Sequence, residues 1–149
     1  MNILVISVGA RPKVETSSLV NDFIKRLPKH IKVQWQYIKH GQGTIANSKQ
    51  QESEQILRAL PKLSTVVLLD ETGKQLSSPE LAARIFNDGK DVTLIIGGAY
   101  GVSEEVKHRS NFVWSLGKLV YPHQLVRIIL AEQIYRAYSI YTGHPYHHE

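Results

Sequence analysis

The stretch D-V-T-L-I-I-G-G-A-Y-G-V-S (residues 91–103) contains the pattern that decides the fold. Its first residues are apolar and mostly β-branched, and the run stops at Gly97 and Gly98, as in a buried strand that enters a glycine turn. Residues 111–116 repeat the arrangement, because a second strand-like run ends at Gly117 before Pro122 begins a helix. A ligand can approach the backbone closely at such turns. Two of them in one short stretch predict a small-molecule site.

Strand and helix patterns alternate along the whole chain. Strands are predicted at 2–8, 31–38, 65–69, 92–96 and 111–116, the first buried on both faces and the second nearer an edge. Helices are predicted at 16–27, at 47–60 with Asn47 as the N-cap, at 77–87 with a capping box, after Ser103, and at 122–142. This alternation predicts one α/β domain over residues 1–149, with a largely parallel sheet and helices on both faces.

The last predicted helix, residues 122–142, is apolar around most of its circumference. Such a helix must be buried on more than one side. In a domain of this size the second side is expected to be a subunit interface, and a two-fold dimer is the commonest form of such an interface.

Composition narrows the function classes. The chain has 149 residues, a formal net charge of +5 and a sequence pI near 9.5, which favours a polyanionic partner such as RNA, DNA or the ribosome. It contains no cysteine, so disulfides, iron–sulfur clusters and thiolate chemistry are excluded. The first residues do not read as a signal peptide, and no apolar stretch has the length of a membrane span. We therefore expect a cytoplasmic protein without a membrane contact.

The glycines match neither common phosphate-binding pattern. Gly97, Gly98 and Gly101 do not have the spacing of the dinucleotide fingerprint, and Gln75 stands where a phosphate loop requires serine or threonine. Without further information the glycine turn is either a ligand site or only a tight turn. The three histidines of the tail, residues 144–149, have no zinc-site spacing, so no metal is expected. The tail is either a polar, partly disordered terminus or a stiff aromatic segment that stacks on a base.

Three side chains of the last helix are candidates for function. His123 lies at the helix start, where the dipole disfavours its charged form, and it either caps and packs or takes part in chemistry. Arg136 follows Glu132 by four residues, a spacing that permits a local ion pair. Arg127 and Arg136 both lie on an otherwise apolar helix, so each needs a partner or faces a cleft. Arg127 has no such neighbour in sequence and is the better candidate for contacting substrate.

Several motifs, in this order and at these spacings, closely resemble the RlmH family of SPOUT-class enzymes, strongly over residues 65–149 and loosely over residues 1–60. They are L-L-D-E-T-G-K (68–74), I-I-G-G-A-Y-G-V-S (95–103), S-L-G-K-L-V-Y-P-H-Q-L-V-R (115–127), E-Q-I-Y-R-A-Y (132–138) and H-P-Y-H-H-E (144–149). These enzymes use S-adenosylmethionine to methylate N3 of a pseudouridine in 23S ribosomal RNA.

The resemblance implies a fold and a cofactor site. SPOUT domains tie a trefoil knot in their carboxyl-terminal half, although chains rarely thread loops. Carried over by motif, the contacts to S-adenosylmethionine would be Leu69, Gly97, Leu116, Gly117, Lys118, Leu119, Val120 and Tyr121. One departure is Ala99, where many members of the family have proline, so that this loop is less stiff.

A mechanism and partners follow from the same resemblance. We expect His123, with Arg127 or Arg136, to frame the target base, and His144 and Tyr146 to close over it, with the tail of one subunit completing the pocket of the other in a homodimer. The RNA phosphates would contact Arg11, Lys13 and Lys39. The substrate would be 23S ribosomal RNA presented within the large ribosomal subunit or the whole ribosome.

Two other functions stay open. One is a SPOUT methyltransferase that acts on transfer RNA. The other is a nucleotide-sensing or ribosome-associated binding protein without catalysis.

Overall fold

The computed structural model describes residues 1–148, and in this part of the chain strands and helices alternate from end to end. The elements are β1 (Asn2–Val8), α1 (Val14–Ile24), β2 (Lys32–Ile38), α2 (Ile45–Ala59), β3 (Thr65–Gln75), α3 (Ser78–Phe86), β4 (Val92–Ile96), α4 (Glu104–Arg109), β5 (Phe112–Ser115) and α5 (His123–Thr142).

These strands form one sheet in the order β2-β1-β4-β3-β5, and every neighbouring pair is parallel. The predicted α/β class with a parallel sheet is confirmed. The predicted positions of two strands are confirmed as well, because β1 lies inside the sheet and β2 lies at its edge. The trefoil knot that the resemblance implies stays a prediction.

The carboxyl ends of the strands lie side by side. Register places residues from all five strands in one row across the sheet, in the order Tyr37, Ser7, Ile96, Leu69 and Trp114. Because the loops that follow these strands leave the sheet at the same edge, residues far apart in sequence can share one site there.

Helices cover both faces of the sheet, as the alternation predicted. On one face α1 and α3 pack against α5, and a core that includes Leu94, Leu130 and Ile134 fills the space beneath them. On the other face α2 and α4 cover a second core, which includes Ile56 and Val106. The two layers of helix bury the apolar strands from both sides.

The element ends mostly agree with the sequence patterns. The capping box of Ser77 and Glu80 is confirmed, and so is the end of α5 at Gly143, whose φ is +70°. Asn47 is wrong as the N-cap of α2, because the Thr44 side chain accepts a hydrogen bond from the Asn47 backbone N–H at 3.2 Å. β3 also continues past Leu69, and its pairing with β5 resumes at Lys74 after an irregularity.

Among residues 1–148, no helix combines the length and the apolar character that crossing a membrane requires.

Candidate functional site

A cavity of about 740 Å³ opens at the carboxyl edge of the sheet. Its walls are residues 69–72 within β3 and the loops that follow β4 and β5, together with the start of α5 and single residues from α2 and α4. The volume is within the range of roughly 300–1,000 Å³ that is usual for pockets that bind a small molecule or cofactor. Of the predicted cofactor contacts, the lining includes Leu69, Gly97, Leu116, Gly117, Leu119, Val120 and Tyr121.

Lys118 is the predicted contact that the structure does not place in the lining; its side chain is exposed. The next two residues, Leu119 and Val120, do line the cavity. Their side chains are nevertheless 72% and 88% exposed. Apolar side chains left open at the mouth of a cavity favour a ligand with an apolar surface.

The turn after β4 has little room for side chains. The Gly101 N–H donates to the Gly98 carbonyl at 3.0 Å, which closes a β-turn, and Gly101 has a φ of +77°. A Cβ at Gly97 would lie 2.9 Å from Cγ1 of the buried Val102, and a Cβ at Gly98 would overlap Oε2 of Glu52. The glycines therefore allow the backbone to form the cavity wall.

The loop after β5 is held by its own serine. The Ser115 hydroxyl accepts from the Gly117 N–H at 3.1 Å and donates to the Gly117 carbonyl at the same distance. Gly117 has a φ of +120°, a conformation that other residues rarely adopt. These contacts give residues 116–121 a defined path over the cavity.

The cavity also contains charged groups that the sequence patterns did not single out. Asp70 accepts from the Thr72 N–H at 2.9 Å and from its hydroxyl at 2.6 Å, and Glu71 lies beside them in the lining. Lys49 from α2 and Lys107 from α4 contribute positive charge on other walls. A ligand with both acidic and basic groups would be complementary to such a lining.

His123 is the predicted catalytic residue that lines the cavity. Burial lowers its pKa, and the nearby positive charge of Arg127 lowers it further, while the Val8 carbonyl raises it. His123 is therefore mainly neutral near pH 7.

Arg127 does not reach the cavity lining and is 1% exposed. Its guanidinium donates to the Ser7 hydroxyl at 3.0 Å, the Ala10 carbonyl at 2.9 Å and the Val8 carbonyl at 3.3 Å. It also lies 5.1 Å from the ring centroid of Tyr37. Of the two alternatives for Arg127, a partner or a cleft, the structure shows partners, and they come from the end of β1 and the loop after it, more than a hundred residues earlier in the chain. The described contacts make it a structural link between α5 and β1.

The remaining predicted catalytic residues lie at the other end of α5. Arg136 donates to Glu132 at 2.9 Å, which confirms the predicted ion pair, and this hydrogen bond raises the pKa of Arg136. The tail folds back onto the same turn, since the Tyr146 hydroxyl donates to Glu132 at 3.2 Å. His144 is exposed and does not line the cavity. At about 1.5 Å per residue, Arg136 is about 20 Å along the helix from His123.

The predicted RNA contacts Arg11, Lys13 and Lys39 are exposed and follow β1 and β2 at the same edge as the cavity. Hydrogen bonds to α2 anchor the loop that contains Lys39. Gln51 accepts from the Gln42 N–H at 3.1 Å, and Glu52 accepts from the Gly41 N–H at 3.0 Å. In the part of the chain that the structure describes, no cluster of histidine and carboxylate side chains could hold a metal ion.

Comparison with known proteins adds independent information. A family model described as "Predicted SPOUT methyltransferase" matches residues 1–147. The ribosomal RNA large subunit methyltransferase H of Thioalkalivibrio sulfidiphilus is 38% identical over 156 residues, which cover 100% of both chains. The proteins of the same name from Methylobacillus flagellatus and Hydrogenovibrio crunogenus are each 36% identical, again over 100% of both chains.

Proposed function

The chain belongs to the SPOUT methyltransferases and, within them, to the family of ribosomal RNA large subunit methyltransferase H, and from this premise we propose that it uses S-adenosylmethionine to methylate N3 of a pseudouridine in 23S ribosomal RNA. A ribosomal substrate would place this activity in the cytoplasm. The observation that carries the proposal is the cavity at the carboxyl edge of the sheet, because residues 69–72 of β3 and the loops after β4 and β5 form it beside His123.

The cavity fits the proposed cofactor in size and in chemistry. S-adenosylmethionine supplies a methyl group on a positively charged sulfur, next to an adenosine and an amino acid. Leu69, Gly97 and the loop of residues 116–121 would hold the adenosine through backbone groups and apolar contacts. The carboxylates of Asp70 and Glu71 and the amine of Lys49 would complement the charged end.

The basic residues at the same edge would hold the RNA. Arg11, Lys13 and Lys39 are exposed and can neutralise phosphates, which positions a nucleotide without reading its sequence. His123 would face the target base, since it lines the cavity and the base must enter beside the methyl donor.

We further propose that the active unit is a homodimer with composite sites. About 20 Å of helix separates His123 from Arg136 in one protomer, so both can reach one base only if they come from different protomers. Leu125 and Tyr141 on α5 are 42% and 55% exposed, which supports an apolar contact between two copies of this helix. The tail of one copy, with His144 and Tyr146, would then cover the cavity of the other.

Calorimetry with S-adenosylmethionine tests the cofactor site. Burial of the Val120 side chain by the cofactor would contribute about 1.5 kcal/mol, so Val120→Asp is expected to weaken binding by about tenfold. Leu63→Asp is the matched control, because Leu63 is 91% exposed and lies outside the lining. Equal affinities of the two variants, or a wild-type chain that binds no S-adenosylmethionine, would refute the proposed site.

Mixing two inactive variants tests the composite site. His123→Ala and Tyr146→Ala would each abolish methyl transfer, and random exchange of subunits would restore roughly a quarter of the wild-type rate, since half of the dimers are mixed and each has one intact site. No recovery after demonstrated subunit exchange would show that each protomer works alone.

A further inference from the structure

Glu52 of α2 is a buried carboxylate that the sequence patterns did not identify. It is 5% exposed, and its Oε1 accepts from the Gly41 N–H at 3.0 Å and from the Ser48 hydroxyl at 3.4 Å. The same oxygen lies 3.5 Å from Nδ1 of His40. Buried carboxylates require donors or cations as partners, and the His40 ring is the titratable one of these three.

This arrangement orients the His40 ring. With Nδ1 toward Glu52, Nε2 lies on the far side of the ring, 3.2 Å from the position that a Cβ at Gly9 would occupy. No described residue forms a hydrogen bond with Nε2, and the His40 side chain is 62% exposed. Because Gly9 has no side chain, Nε2 stays accessible at the end of β1.

His40 lies next to the cavity and outside its lining, because its partner Glu52 packs against Gly98, a residue of the cavity wall. His40 is near enough to His123 for its positive charge to lower the pKa of His123, which lines the cavity. Lys39, a proposed phosphate contact, precedes His40 in the same loop. A base that enters the cavity past these loops would therefore pass His40.

We propose that His40 is the general base of the methylation and that Glu52 is its positioning residue, an inference that rests on the proposed function. The N3–H bond of the uracil ring breaks and its proton forms a bond to Nε2 of His40. The electron pair left on N3 forms the bond to the methyl carbon, and the pair of the former carbon–sulfur bond leaves with sulfur. A carboxylate that holds Nδ1–H and leaves Nε2 free is the arrangement by which histidine acts as a base in hydrolases.

Solvent exposure and the direct contact with Glu52 favour His40 over His123 for this step. A proton on His40 would form an imidazolium beside Glu52 on a ring that is 62% exposed, whereas a proton on His123 would be disfavoured mainly by burial. Arg127 is near both rings, since its Nη2 and the His40 Nε2 lie 3.3 Å and 3.2 Å from the same Cβ position at Gly9. The other charged groups nearby are Lys39 and, at the end of β1, Arg11.

Single-turnover methylation of ribosomal RNA, measured across pH, tests the proposal together with ring-nitrogen NMR of labelled histidine. We expect His40→Gln to slow methyl transfer by about 100-fold or more and to remove the acidic limb of the pH profile, and added imidazole to restore part of the rate of His40→Ala. Glu52→Gln should shift His40 from the Nδ1–H to the Nε2–H tautomer and slow transfer. The matched controls are His108→Gln and Glu54→Gln, which alter exposed side chains.

Two failures are distinguishable. A wild-type chain that binds no S-adenosylmethionine or methylates no N3 would overturn the proposed function, and the inference with it. A wild-type chain that methylates N3 while His40→Gln retains its rate and pH profile would overturn only the role of His40. An Nε2–H tautomer of His40 in the wild-type chain would likewise overturn only the role of His40.

Discussion

Replacing Arg127 by methionine is expected to destabilise the fold before it affects any chemistry. The change removes three hydrogen bonds, to Ser7, Val8 and Ala10, and the contact with the Tyr37 ring. All four contacts are made by a buried residue, since Arg127 is 1% exposed. Each acceptor left without a donor costs about 1–3 kcal/mol, while removal of a desolvated charge returns part of that sum. We expect a net loss of about 2–4 kcal/mol, or roughly 5–15 °C in Tm for a domain of this length.

Urea unfolding followed by tryptophan fluorescence measures this loss, and an unchanged m-value would show that the compactness of the two states is unaffected. Arg84→Met is the matched control, because Arg84 is exposed and its guanidinium lies 4.6 Å from the ring centroid of Phe112; it should cost less than about 1 kcal/mol. If Arg127→Met retained wild-type stability and lost methyl transfer, the structural role of Arg127 would be wrong and the role in substrate contact would be restored.

Three further predictions concern the cavity and its surroundings. Ala99 is the second residue of the turn closed by Gly98 and Gly101, a position where proline is favoured. Ala99→Pro should therefore tighten S-adenosylmethionine binding about two- to fivefold in calorimetry, and weaker binding would show that this loop must move. The pKa of His123 is lowered on folding, so as pH falls the unfolded chain protonates His123 before the folded chain does, and the unfolding free energy should fall as pH drops below 6.5. The His123→Gln variant should show a shallower fall, and a slope identical to that of the wild type would contradict the lowered pKa. Gly98→Ala should displace the Glu52 carboxylate and reduce methyl transfer as Glu52→Gln does, whereas full activity would show that the contact is dispensable.

Much of the fold could be predicted because its signals are local. The apolar runs of β1 and β4 and the capping box at Ser77 depend on neighbouring residues, and the structure confirms them. The glycine turn after β4 is also local, and the cavity lies there. What the cavity binds was suggested by the resemblance of several motifs together and not by any single glycine pattern.

The residues that sequence patterns assigned wrongly or missed depend on contacts between distant segments. No acidic residue stands one helical turn from Arg127 in α5, so the sequence of the helix offers it no ion pair. Its hydrogen-bond acceptors come instead from β1 and the loop after it. Glu52 stands on a helix rich in exposed polar residues, and only the return of the β2–α2 loop shows that it is buried against His40. The position of Tyr146 on Glu132 likewise requires the tail to reverse at Gly143.

The central claim is most directly tested by mass mapping of 23S ribosomal RNA. Ribosomes from a strain that lacks this protein would be incubated with the purified chain and S-adenosylmethionine, beside free 23S RNA and transfer RNA. We predict one added methyl group, on N3 of a pseudouridine in 23S RNA, and a methylation rate about tenfold lower with the Val120→Asp variant at cofactor concentrations below the wild-type Kd. A methyl group found in transfer RNA, or at another atom of 23S RNA, or nowhere, would contradict this prediction.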